Sequence, residues 1–203
     1  PNTKYIRLGN FANLVMDKFF SKESSEIIEC LNVLKEDFKQ YPIEYAACED
    51  LNAANDFQQY INNAQIQFNN IKNVVENSFV SDTININVKT ATLEPAFLNK
   101  RYGIQGRLDI LQSISKNKGI SKIIELKSGG TPFPDDGISI KPNHQAQLFL
   151  YYQLISVIND LDFQEISKKT KGFILYSKVN THNLRNNEIY LKKVQEILNL
   201  RNE

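Results

Sequence analysis

Cysteine and histidine are almost missing from this chain of 203 residues, which has two of each. Cys30 and Cys48 are too few for a disulfide framework and are not in C-x-x-C spacing. The simplest reading is a pair of free buried thiols in a reducing, intracellular, cytoplasmic setting. Long apolar runs are also missing. None approaches the roughly 18–20 residues needed to cross a bilayer, and no charged-then-apolar signal opens the chain, so no membrane partner is expected. An excess of charge is lacking too: 24 basic against 23 acidic residues leave a formal +1. That total neither requires nor excludes a nucleic-acid partner, because an acidic site and a basic groove can cancel.

What is present is an ordinary globular composition, 41% hydrophobic and 23% charged, in a length that buries one full core. A first residue of proline and an amphipathic run ending at Glu203 lead to the expectation of a fragment from a longer protein. Between Ser25 and Gln40, Ile27, Leu31, Leu34 and Phe38 fall at helical spacing. From Asp50 to Phe79, Phe57, Ile61, Ala64, Phe68, Ile71 and Val75 continue the rhythm, as one long helix or a broken pair. Residues 1–80 are therefore expected to be a helical region packed on a core of residues 81–203.

The texture changes at Asp82. Ile84, Ile86 and Val88 alternate with polar residues and predict a strand; a second is expected over Ile104–Ile114 and a third over Lys122–Lys127, with a turn at Lys116–Gly119. Residues 128–142 hold three glycines and three prolines and read as a loop. Asn143 is placed to cap a helix reaching about Asn159, Gly172–Tyr176 predict a fourth strand, and Glu188–Leu200 a last helix. The expected class is α/β: a mixed central sheet with an αβββαβ core, flanked by helices.

Two of the strand-like runs carry charge where a core should be apolar. Asp109 lies between Leu108 and Ile110, and Glu125 and Lys127 sit two apart among Ile123, Ile124 and Leu126. A buried charge without a partner costs several kcal/mol, so such groups have a partner or a metal. Alternation puts Glu125 and Lys127 on one face, and a hairpin between the two runs would set Asp109 beside Glu125. Two adjacent carboxylates repel unless a divalent cation lies between them, and Mg²⁺ or Mn²⁺ suits oxygen donors. Lys127 would then steady developing negative charge or help to deprotonate water. The plainer alternative is a structural Glu–Lys or Asp–Lys ion pair without a metal. On the following helix His144, Gln147 and Tyr151 fall at i, i+3 and i+7, as either a solvated face or a stripe beside the acids.

These residues resemble a family. Gly106-Arg-Leu-Asp109, Glu125-Leu-Lys127 and Gln147-Leu-Phe-Leu-Tyr151 are similar, in type and order, to the G-x-x-D, E-x-K and Q-x-x-x-Y marks of the RecB-like branch of the PD-(D/E)XK nucleases. Within it the likeness is to nuclease domains of helicase-nucleases and to CRISPR-associated nucleases, over about residues 82–180. The resemblance implies a restriction-endonuclease-like fold and a Mg²⁺- or Mn²⁺-dependent deoxyribonuclease acting on single-stranded DNA or DNA ends in replication, recombination or repair, with a helicase as partner. It makes Asp109, Glu125 and the main-chain carbonyl of Leu126 metal ligands, Lys127 the catalytic lysine, and Gln147 and Tyr151 positioning groups. Lys100, Arg101, Arg107 and His144 are the candidate DNA contacts, with Lys168, Lys169, Lys171 and the loop residue Phe133 as further possibilities.

The chain departs from that pattern twice. Relatives often hold an iron–sulfur cluster through four cysteines, and two cysteines cannot do so, so no cluster is expected. Relatives also often supply a histidine ligand from an N-terminal helix, whereas both histidines here follow the third expected strand. The third ligand stays open, with Glu94 and Glu76 as candidates. Two other readings share the fold: a DNA-binding module that does not cut, and a site-specific restriction endonuclease.

Overall fold

A computed structural model of the chain describes residues 3–21, 26–112, 121–130, 132–158, 163–187 and 191–202. The chain forms two compact units: residues 1–89 with 126–131 and 176–183, and residues 90–125 with 132–175 and 184–203. The expected turn at Lys116–Gly119 lies outside the described residues.

The first unit is helical: α1 (Lys4–Ser21), α2 (Cys30–Gln40), α3 (Pro42–Ala46) and α4 (Ala54–Asn73), the last running into one π-helical turn at Val74–Ser78. Helix α1 forms because Leu8, Phe11, Ala12, Val15, Met16 and Phe19 make one apolar stripe, and all six are buried. The stripe meets α4, where the rings of Phe19 and Phe68 lie 5.8 Å apart. Each such side chain contributes about 1.5–3 kcal/mol on burial. The expected stripe of α2 holds in part: Leu34 is buried and Phe38 packs beside Tyr45, but Leu31 and Ile27, which precedes the helix, are exposed, and Cys30, Val33 and Asp37 also face inward. Both cysteines are free and buried.

Under α1 lies a polar cluster within this helical packing. Arg7 and Asp37 are buried, the Tyr45 hydroxyl donates to Asp37, and the hydroxyls of Tyr45 and Tyr60 are 2.5 Å apart. The Arg7 guanidinium stands 5.4 Å from the Tyr41 ring centroid and 5.7 Å from that of Tyr45, a cation–π arrangement. Burial raises the Asp37 pKa against the lowering effects of Tyr45 and Arg7.

The strand expected at Ile84–Val88 is absent. Asn85 has φ +46° and Ile86 N–H donates to Phe79 O at 2.7 Å, so this stretch is a turn tucked onto the helical unit.

The second unit is mixed α/β, in the order β1 (Thr92–Leu93), β2 (Ala96–Asn99), β3 (Ile104–Arg107), β4 (Ile110–Gln112), β5 (Ser121–Lys127), α5 (Pro142–Ile158), α6 (Phe163–Lys169), β6 (Thr170–Tyr176), β7 (Leu184–Asn187) and α7 (Leu191–Asn202). Five strands make a mixed sheet in the order β1-β4-β5-β6-β7, and β2-β3 form a separate hairpin. Pairs β1/β4, β4/β5 and β6/β7 are antiparallel, so β5/β6, joined through α5 and α6, is the parallel pair. Strand β5 is central and buried from Ser121 to Leu126, which its near-continuous apolar run dictates. The single strand expected over Ile104–Ile114 is broken at Leu108-Asp109, where the chain leaves the hairpin and enters the main sheet.

Helix α5 starts two residues earlier than expected: Lys141 O accepts from the N–H groups of His144 and Gln145, both at 3.0 Å, so Lys141 rather than Asn143 holds the cap position and Pro142 is the first helical residue. Leu148, Phe149 and Tyr151–Ser156 are buried, making α5 apolar nearly all round. Close approach needs glycine at two places. A Cβ on Gly106 would stand 2.7 Å from Leu154 Cδ1, and one on Gly172 would stand 2.6 Å from the Tyr152 hydroxyl. No helix among the described residues is long and apolar enough to cross a membrane.

Candidate functional site

The main sheet lines up three acids. Register pairs Leu93 with Ile110 across β1/β4 and Ile110 with Ile124 across β4/β5. Continued by one residue, it places Asp109 opposite Glu125 on one side and opposite Glu94 on the other, where Glu94 N–H donates to Asp109 O at 2.9 Å. Directly opposed residues have Cβ atoms about 4.5–5.5 Å apart, so Asp109 and Glu125 are neighbours.

The row is broken at Glu94. Its backbone is left-handed, φ +48°, and its carboxylate pairs with Arg107 at 3.3 Å on the surface. Among the described residues no three histidine, cysteine or acidic side chains converge on a metal-sized site. Neither Glu94 nor Glu76, which is exposed in the first unit, completes a third protein ligand there. What remains is a pair of oxygen donors, Asp109 half-buried and Glu125 buried.

Helix α5 fixes that pair. Gln147 Nε2 donates to Glu125 Oε1 at 2.7 Å and to the Tyr151 hydroxyl at 2.6 Å. Tyr151 in turn donates to Arg107 O at 2.9 Å. The network therefore ties β5, α5 and the end of β3 together, and each of its members is shared by two elements. Burial, first, and the charges of Glu125 and then Asp109 raise the Tyr151 pKa, so both carboxylates act on one hydroxyl. Tyr151 stays a neutral donor at physiological pH.

The other sequence candidates divide. Leu126 and Lys127 follow Glu125 directly on β5, with Lys127 half-buried and, by alternation, on the Glu125 side. His144 sits one turn before Gln147 on α5, half-buried. Lys100 and Arg101 are exposed in the turn between β2 and β3, where the Arg101 guanidinium stands over the Tyr102 ring at 5.5 Å. They are separate from the network, and Arg107 joins it through its carbonyl while its guanidinium holds Glu94.

No protein-family model matches the chain, and no curated protein does.

Sequence reasoning missed Asn99. It is buried, its Nδ2 donates to Gln153 O at 2.8 Å, and Tyr102 N–H donates to its Oδ1 at 3.3 Å, which pins the hairpin to α5. Only an asparagine at a strand end marks it in sequence, and that signal is common.

Proposed function

We propose that the chain is a Mg²⁺- or Mn²⁺-dependent deoxyribonuclease with a restriction-endonuclease-like core. What supports this reading is the β4/β5 register, which continued by one residue brings Asp109 opposite Glu125, together with the Gln147 bond to Glu125 and the field of both acids on the Tyr151 hydroxyl. Two like charges held side by side by main-chain register, one of them buried, form a donor set suited to a hard cation. Asp109, Glu125 and the Leu126 carbonyl would hold the ion, which when bound supplies Lewis-acid polarisation of a phosphodiester and a more acidic water.

The chain's own groups supply the rest. Gln147 orients the Glu125 carboxylate by donating an amide hydrogen bond to it. Tyr151 holds the Arg107 carbonyl, and so fixes the backbone that leads into Asp109. Lys127, two residues on from Glu125 in the same strand, would supply the cation that steadies developing phosphate charge. A preference for single strands or ends and a helicase partner rest on the motif resemblance alone.

The test is incubation of the full chain with labelled single- and double-stranded DNA in Mg²⁺, Mn²⁺ or EDTA. Chelator-sensitive cleavage lost in Asp109→Ala and Lys127→Ala is the expected result. Binding without cleavage in either metal would favour the non-cutting module. Undiminished cleavage by Asp109→Ala would overturn the site.

A further inference from the structure

The first unit carries a cavity that the nuclease reading leaves unused. Its volume is about 360 Å³, within the span of small-ligand pockets. Tyr5, Ile6, Asn10 and Asn13 of α1 line one side, and Leu126 and Ser128 at the end of β5 line the other. Gly9 lets the two sides close up, since a Cβ there would stand 3.3 Å from Ser128 Oγ. Leu126 and Ser128 flank Lys127 in the chain, so this cavity and the candidate catalytic lysine share the same strand end.

The lining narrows the ligand. Among the described residues no charged side chain lines the cavity. Asn10 and Asn13, one helical turn apart, offer paired donors and acceptors, and the Tyr5 ring is 65% exposed. An aromatic face beside carboxamides matches the face and edge of a nucleobase. Positive charge sits at the rim. Lys178 Nζ stands 5.5 Å from the Tyr5 ring centroid, whereas the neighbouring Lys4 is held by Asp56 at 3.2 Å. A neutral polar cavity with a cationic rim fits a base carrying its phosphate better than an apolar peptide, which would leave both amides unsatisfied.

We propose that this cavity is a nucleotide subsite for a single nucleic-acid strand: Tyr5 stacks on one base, Asn10 and Asn13 bond its edge, and Lys178 meets the adjoining phosphate. The choice of a strand over a free nucleotide rests on the nuclease reading.

Fluorescence anisotropy with a short labelled oligothymidylate, full chain, in EDTA, tests it without catalysis. Tyr5→Ala and Asn13→Ala should each weaken binding about tenfold, Tyr5→Phe should stay within about twofold, and Lys178→Gln should flatten the salt dependence by about one phosphate contact. Competition by thymidine monophosphate at concentrations that leave the oligonucleotide bound would identify a free nucleotide as the ligand and overturn the strand. Unchanged affinity in Tyr5→Ala, with its thermal melt equal to the parent's, would overturn the subsite, as would a parent that binds no strand. Cleavage is read separately in Mn²⁺. A parent that cuts but ignores Tyr5→Ala loses the subsite alone, and a parent that binds through Tyr5 but never cuts loses the nuclease alone.

Discussion

Gln147 Nε2 lies 2.7 Å from Glu125 Oε1, so an amide on α5 sets the angle of a carboxylate on β5. The same nitrogen is 2.6 Å from the Tyr151 hydroxyl, whose proton goes to Arg107 O. One amide thus couples the Glu125 carboxylate on β5 to the end of β3, two residues before Asp109.

Removing that amide should reduce both cleavage and stability. Gln147→Ala takes one orienting donor from Glu125, and loss of a group that orients a metal ligand typically costs 10–100-fold in activity or metal affinity. Glu125 is buried, so loss of this donor should also cost about 1–3 kcal/mol of stability. Single-turnover cleavage against Mn²⁺ concentration checks this: a raised metal requirement is expected, and unchanged metal dependence would remove Gln147 from the site.

Glu94 is predicted to be dispensable. Its carboxylate is committed to Arg107 at the surface rather than to the Asp109–Glu125 pair. Glu94→Gln should therefore keep cleavage within about threefold of the parent, an exposed ion pair being worth about 0–1 kcal/mol. A loss as large as that of Asp109→Ala would make Glu94 a third ligand.

The glycine of the Gly106–Asp109 motif has a packing reason that can be measured. A methyl at Gly106 would meet Leu154 Cδ1 at 2.7 Å and the Tyr151 ring at 3.4 Å, and Leu154 is itself buried. Gly106→Ala should cost about 1–3 kcal/mol by overpacking. Gly129→Ala, with nothing within 4 Å of its added Cβ, should stay within about 0.5 kcal/mol. Urea denaturation of both variants decides it.

The sequence carried the β5 strand and α5 because each has a buried apolar stretch, Ile123, Ile124 and Leu126 in β5 and Leu148, Phe149, Leu154 and Ile155 in α5. The acids on β4 and β5 were legible for the same reason, as charges out of place. The strand expected at Ile84–Val88 failed because alternation alone cannot tell a strand from a turn whose Ile86 is buried, and the left-handed Asn85 is invisible to it. Helix α1 was overlooked although its stripe from Leu8 to Phe19 was there to be counted. The break at Leu108-Asp109 depends on β3 pairing with β2, whose Phe97 and Leu98 are half-buried and exposed. Register between distant segments has no local signature.

Asp37 gives a pH prediction for the helical unit. Its folded pKa is raised above the ordinary 3.8, chiefly by burial, so the folded chain holds a proton that the unfolded chain gives up. The stabilisation is complete below pH 3.8 and is lost as pH rises through the folded value. Asp37→Asn cannot ionise, so the stability of the parent minus that of the variant should fall with rising pH across this window. Paired urea titrations measure the difference; a difference that rises with pH would mean that Arg7 outweighs burial.

Cation binding should be visible without any substrate. Asp109 and Glu125 stand opposed, and a divalent ion that binds only the folded chain stabilises it by mass action, about 2.7 kcal/mol at a hundred times its dissociation constant. Adding Mn²⁺ should raise the thermal midpoint of the parent, and EDTA should reverse the rise. Asp109→Asn keeps shape and hydrogen-bonding capacity while removing one charge, so its midpoint should not respond to Mn²⁺. Glu94→Gln should respond like the parent. If the parent shows no shift in Mn²⁺ or Mg²⁺, the carboxylate pair is not a cation site, and the plainer reading of Asp109, Glu125 and Lys127 as a structural charge cluster takes its place.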